Sequence, residues 1–262
     1  MPDPHFEAIR VARTGGVVTI TLDRPERKNA LSHGMVEELT EVLTAVTDDS
    51  DARVMVVTGA GDAFCSGADL TGLTGEDAAN GLAHMRQIHR LASLLHEVPQ
   101  PTIARINGVA AGAGLNLALG CDLTVASTEA RFSQIFARRG LSTDFGGAWL
   151  LPRLIGLHRA KELALFGEVV PAAEAERLGL VNRVVPPGEL DAVVDEWAAR
   201  LAAGPPIALT QTKRMLNRSF ETSWEAQLEA ESTAQAYNFS TRDTAEAMRA
   251  FFEKRTPEFG GH

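Results

Sequence analysis

Residues 105–122, RINGVAAGAGLNLALGCD, carry the clearest chemical possibility in this chain of 262 residues. An apolar strand at 101–106 turns at Asn107-Gly108, then runs through Gly112-Ala113-Gly114 into an apolar helix. Residues this small let a ligand come close to the main chain. A helix that starts there points unpaired N–H groups at the ligand. Such a turn can hold a developing negative charge with backbone dipoles alone. The same residues also suit a tight packing turn between strand and helix, and from this stretch alone both readings stand.

Other chemistries fail on spacing. Gly112-x-Gly114 begins like a dinucleotide fingerprint, but the third glycine would fall at position 117, which is leucine. There is no GxSxG serine elbow and no HExxH. His84 and His89 are five apart on an expected helix, a poor spacing for ligands on one face. Cys65 and Cys121 form no CxxC, so neither a disulfide framework nor a zinc site is expected, and no metal.

The elements that must position this turn follow from periodicity. Residues 6–11 and 17–22 read as strands around Gly15-Gly16. Residues 24–28, RPERK, form a charged loop. Ser32 suits the cap of a helix at 35–46, with Val36, Leu39, Val42, Leu43 and Val46 on one face. A short buried strand at 53–57 leads into a turn-rich loop at 59–67 and a polar, mobile connection at 71–79. A long helix at 80–97 stops before Pro99. Beyond the 101–122 unit come strands at 123–126 and 130–133 and a loop at 140–147. Helices at 148–154, 158–166 and 172–178, an extended 181–185 and a helix at 190–203 follow. From Pro205 the pattern is wholly helical, at 207–219, 223–237 and 241–254. Strands and helices alternate early and helices finish the chain, so the class is α/β with a body at 1–204 and a helical region at 205–262. So short a tail must pack on the body or on a neighbouring subunit.

Composition narrows the partners. A net charge of −9 with no basic stripe argues against nucleic acid. No apolar run spans a bilayer, and the first ten residues hold no apolar signal core, so a cytoplasmic location is expected.

Several separated motifs then occur in a specific order: Leu22-Asp23-Arg24-Pro25 with Asn29-Ala30-Leu31, Ala63–Leu70 as AFCSGADL, Ile106-Asn107-Gly108 through Cys121-Asp122-Leu123, and AMRAFFEKR at 247–255. With these, the chain resembles the crotonase, or enoyl-CoA hydratase/isomerase, family over nearly its whole length. The resemblance implies a spiral of ββα units followed by helices that build homotrimers or hexamers. It implies an acyl-CoA thioester as substrate and no separate cofactor, since CoA enters as part of that thioester. It places the thioester carbonyl between the N–H groups of Ala68 and Ala113. Fixed N–H dipoles there stabilise an enolate oxygen, each donor being worth about 3–4 kcal/mol in comparable sites. The CoA moiety is expected along residues 26–30 and 66–70, which brings in Arg27, Lys28, Ala30, Ser66, Gly67, Asp69 and Leu70. Arg27 and Lys28 either meet phosphate or belong to a solvated loop. Phe251 and Lys254 match positions that reach the adenine and phosphate in a neighbouring subunit; Phe251 also suits a core position.

The resemblance breaks where hydratases of this family keep two glutamates. Those positions fall on Asn116 and Phe136. An amide is no base near neutral pH and a phenyl ring has no proton to give. Asn116 reads as a packing amide or as a contact to the acyl group, and Phe136 as a pocket wall. An acid stands instead at Asp144, in GLSTDFGG, where it is similar to the ring-epoxide isomerases of the family. The shared look extends over NGVAAGAG, LALG, GLxxDxGGxWLLPR and the ending AFxxKRxPxF. Phe132, Phe136, Phe145 and Trp149 are expected to desolvate Asp144 and raise its basicity. Asp144 also suits the N-cap of the helix that follows. The leading expectation is an enoyl-CoA or ring-type acyl-CoA isomerase. The alternatives are a hydratase working with one acid, a non-catalytic acyl-CoA binding protein, and a nucleophilic role for Asp144.

Overall fold

A computed structural model describes residues 6–71 and 78–262. The connection read as mobile at 71–79 lies for the most part outside the described residues. The strands are β1 (Ile9–Thr14), β2 (Val17–Leu22), β3 (Val54–Gly59), β4 (Ala63–Cys65), β5 (Thr102–Ile106), β6 (Val109–Ala111), β7 (Leu123–Ser127), β8 (Arg131–Ser133), β9 (Val169–Pro171) and β10 (Arg183–Val185). The helices are α1 (His33–Thr47), α2 (Ala78–Glu97), α3 (Ala113–Leu119), α4 (Gly147–Ile155), α5 (Leu157–Phe166), α6 (Ala172–Leu178), α7 (Leu190–Ala202), α8 (Pro206–Arg218), α9 (Trp224–Phe239) and α10 (Arg242–Glu253).

The chain alternates between two sheets. One has the order β1-β2-β3-β5-β7-β10 and the other β4-β6-β8-β9. β3 to β4 to α2, then β5 to β6 to α3, each place one strand in the large sheet, one in the small sheet and a helix after them. These are the wound ββα units expected of a crotonase fold. β3, β5 and β7 pair in parallel and are covered on both faces, so β3 is buried at every position. One face carries the main core with α1 and α2. The other packs Val54, Val56, Ile103 and Val125 against Leu190, Val193 and Val194 of α7.

Local expectations hold where the pattern is contiguous. β2 and α6 fall on the expected residues, and the Ser32 hydroxyl accepts the Met35 N–H at 3.2 Å as the cap of α1. β1 begins three residues later than expected. The three-residue strands β4, β6 and β9 and the 3-10 turn Ile135–Arg139 lie in stretches read as loop, or not read as strand or helix. Their ladders are formed with partners distant in sequence, so local periodicity carries no trace of them.

The tail docks through a few polar ties. Lys213 on α8 pairs with Asp122 at 2.8 Å and donates to the Gln100 carbonyl at 3.0 Å. Asn217 donates to the His96 carbonyl at 3.1 Å. No residue of α8 is fully buried, and Phe220, Trp224, Phe239, Phe251 and Phe252 stand open. Among the described residues, no helix is long and apolar enough to cross a membrane.

Candidate active site

Two loops and one helix start meet at the site. The first loop follows β2. Pro25–Arg27 form a 3-10 turn, and Lys28 and Asn29 both take left-handed backbone angles, φ 48° and 54°. Such conformations cost a non-glycine residue on the order of 1–3 kcal/mol, so something must hold them. The fully buried Asn29 side chain does. Its Oδ1 accepts the Arg24 N–H at 2.9 Å, and its Nδ2 donates to the carbonyls of Ala60 and Ala63. The Arg24 guanidinium bridges the Ala30 carbonyl, at 2.8 Å, and the Asp69 carboxylate, at 2.9 Å.

The second loop, residues 66–70, is stitched to the first. Ser66 N–H donates to the Lys28 carbonyl, Leu31 N–H to the Gly67 carbonyl, and Asp69 N–H to the Leu31 carbonyl. This is a parallel bridge between Leu31 and Ala68 that uses the groups on either side of Ala68. Ala68 therefore turns its own N–H away from Leu31, and that N–H has no acceptor among the described residues.

The helix start is α3. Gly112 takes φ 53°, and Ala113 is the first helical residue, with its N–H unpaired as helix geometry dictates. The two loops touch. A Cβ built on Gly67 would lie 3.0 Å from the Ala111 carbonyl oxygen and 3.8 Å from Ala113 N. One built on Gly112 would lie 3.6 Å from the Phe136 ring, so Phe136 stands beside the helix start.

Asp144 lies in the turn before α4. The capping reading fails: the cap is Gly146, φ 77°, and no side chain caps the helix. Phe145 before it is left-handed, φ 47°, which denies Asp144 the cap position. The Asp144 carboxyl stays free. Its Oδ1 is buried with no hydrogen-bond partner among the described residues, and burial raises its pKa from 3.8 to about 6. Asn116 sits beside this turn, fully buried, with its Nδ2 on the Asp144 carbonyl oxygen at 2.9 Å and its Oδ1 on Gln134 at 2.7 Å. One donor and one acceptor of its amide are committed to the protein, which gives it a packing role. Trp149 has partners of its own: its Nε1 donates to Glu221, Arg153 stacks 3.8 Å from its ring centre and His96 meets it edge-on.

The remaining candidates divide. Arg27 and Lys28 are exposed; Lys28 pairs with Asp62 at 3.1 Å, and the Arg27 carbonyl accepts the Ser66 hydroxyl. Ala30 is buried and Leu70 is exposed on the loop edge. Asp69 is occupied: the Thr71 hydroxyl and N–H, then Arg24, hold its carboxyl down to about 2. It fastens the two loops and is not a free ligand group. Phe251 and Lys254 sit at the end of α10, which packs on α9, and no hydrogen bond or ion pair joins them to residues 24–31 or 66–70 among the described residues. Cys65 and Cys121 are free, and burial pushes each thiol up to about 12, so neither is a nucleophile at neutral pH. Sequence reasoning missed Asn29 as the brace of the first loop, although its place in the motif was visible, and missed Gln134, for which no sequence signal exists.

This geometry has known counterparts. The family model described as enoyl-CoA hydratase/isomerase matches residues 12–262, and the chain belongs to that family. A 1,2-epoxyphenylacetyl-CoA isomerase of Escherichia coli is 38% identical over 250 residues, covering 94% of this chain and 95% of its own. A short-chain-enoyl-CoA hydratase of Clostridium acetobutylicum is 35% identical, covering 94% and 95%. The crystal structure of an enoyl-CoA hydratase from Bacillus anthracis superposes with a TM-score of 0.94 at 36% identity, covering 98% of this chain and all of its own. The chain is thus an acyl-CoA enzyme of the hydratase/isomerase family with a crotonase fold.

Proposed function

We propose that this enzyme isomerises an unsaturated or ring acyl-CoA through a thioester enolate. Ala68 and Ala113 donate their N–H groups to the enolate oxygen, and Asp144 moves the proton. The observation that carries this reading is the Asp144 carboxyl: half-buried, with Oδ1 enclosed and unpartnered among the described residues, and raised to about 6. A base of that pKa is ionised at neutral pH yet readily gives the proton back, as a shift of a double bond requires. Hydration by paired acids lacks its carboxylates, since Asn116 is a committed amide and Phe136 a ring beside the helix start. Residues 26–30 and 66–70 hold the CoA, with exposed Arg27 turning toward phosphate and Lys28 joining it by exchanging its Asp62 partner for the phosphate.

A panel of enoyl-, dienoyl- and aryl-CoA thioesters followed by mass spectrometry tests the reaction. Isomerisation leaves the mass unchanged. A product heavier by one water across the panel overturns the proposal in favour of hydration, and no turnover of any thioester favours a binding protein.

The pH profile follows from burial. Proton abstraction needs the carboxylate, which is lost as pH falls through its folded pKa. The ascending limb of kcat/KM should therefore have its midpoint near pH 6. A limb at pH 4, or a flat profile between pH 5 and 8, removes Asp144 as the base.

We also place the assembly here. The region 205–262 leaves Leu216, Phe220, Trp224, Met248, Phe251 and Phe252 exposed to solvent in one chain. Apolar area on this scale marks an association surface. Light scattering at micromolar concentration should give the mass of a trimer or hexamer, with Phe251 and Lys254 delivered to a neighbour's CoA; a monomer mass refutes this.

A further inference from the structure

Gln134 is 1% exposed, yet its amide oxygen has no hydrogen-bond partner among the described residues. Burying an amide half satisfied is unfavourable and calls for a cause. Among the described residues its one side-chain hydrogen bond runs from Nε2 to Asn116 Oδ1 at 2.7 Å. Asn116 passes the restraint on, donating from Nδ2 to the Asp144 carbonyl oxygen at 2.9 Å. The same carbonyl accepts the Gly147 N–H at 2.9 Å, which closes the turn at 144–147. The approach is as tight as it can be. A Cβ on Gly147 would lie 2.3 Å from Asn116 Nδ2 and 2.6 Å from its Oδ1, so only glycine lets the turn reach the amide. Three segments therefore meet at one side chain: the residue after β8, the middle of α3 and the turn before α4.

We propose that Gln134 and Asn116 are positioning residues that hold the backbone of Asp144, so that its carboxyl faces the reacting carbons with no hydrogen-bond donor upon it. This rests on Asp144 being the base of the proposed isomerase. The amide type matters. Asn116 has a donor to give, and it gives it to the carbonyl and not to the carboxylate, where a donor would weaken the base. A carboxylate at 116 has no donor for that carbonyl and sets a second negative charge beside the first. The clamp also holds Phe145 in its left-handed conformation, a strain that the surrounding structure must over-determine.

The test compares the parent with Gln134→Met, Asn116→Leu, Gly147→Ala and Asp144→Asn on the thioester that the parent turns over best. Loosening the clamp should lower kcat about 10–100-fold, the usual consequence of misplacing a reacting group by an ångström, with KM within about twofold. The ascending limb of the pH profile should move to lower pH as the released carboxyl becomes solvated. Gly147→Ala removes no hydrogen-bonding group, so its agreement with the other two identifies geometry as the cause. Adding Gln134→Met to Asp144→Asn should cost nothing further, because the clamp acts only through that carboxyl. A folded Gln134→Met or Gly147→Ala enzyme with parental kcat and parental pH limb, beside an inactive Asp144→Asn, overturns the clamp and leaves the base standing. An Asp144→Asn enzyme as fast as the parent overturns the base, and the clamp with it. A residue serving stability alone would lower Tm and move neither kcat nor the limb.

Discussion

Asp144→Asn is expected to lower kcat by about 10²–10⁴-fold, the usual contribution of a positioned base, while a non-turnover acyl-CoA analogue binds as before. Asparagine keeps the shape and removes the proton acceptor. The same substitution is expected to stabilise the protein, and the sign follows from the raised pKa. Well below pH 3.8 the carboxyl is neutral folded or unfolded, and no penalty exists. As pH rises toward 6 the unfolded chain ionises first and the folded state falls behind; above 6 the penalty is constant. A rise from 3.8 to about 6 corresponds to roughly 3 kcal/mol, which the partial exposure of Asp144 reduces to about 1–2 kcal/mol. The gain should therefore raise Tm by roughly 2–8 °C at pH 8 and disappear by about pH 3. A folded variant that keeps parental turnover removes Asp144 from the chemistry. One that melts lower at pH 8 shows that its carboxylate is satisfied in a way the structure does not contain.

Ala113→Pro is the counterpart for the enolate. Ala113 opens α3, the one turn of a helix where proline fits, because the N–H it lacks has no partner there. Gly112 before it, at φ 53° and ψ −129°, is extended in the mirror-image sense and accommodates a following proline. The fold should survive, with a melting temperature close to the parent's. One oxyanion donor is gone, and the ring occupies the place of the lost proton. Loss of one such donor costs about 10²–10³-fold in rate. We expect at least that fall in kcat/KM across every thioester that the parent converts. A folded Ala113→Pro enzyme with parental kcat/KM would mean that the carbonyl binds elsewhere, and the enolate mechanism would fall with it.

What the chain declares on its own is whatever lies in contiguous runs. The parallel core strands show as apolar runs, α1 shows as a capped amphipathic helix, and the two small-residue loops at 66–70 and 112–114 show as places where a ligand can reach the main chain. These are properties of neighbouring residues, so one chain suffices to read them. Tertiary structure decided the rest, because the deciding partners are far apart in sequence. The strands β4, β6 and β9 are three residues each and exist through partners distant in sequence. Whether Asp144 was a cap or a free acid turned on the left-handed angles of Phe145 and Gly146 and on an asparagine 28 residues earlier in the chain. Trp149 takes Arg153 over its ring and donates to Glu221, 72 residues on, partners that no local pattern announces. Gln134 has no periodicity and no motif to mark it. Its meaning lies in one 2.7 Å hydrogen bond to a residue 18 positions away, and only the folded chain brings the two together.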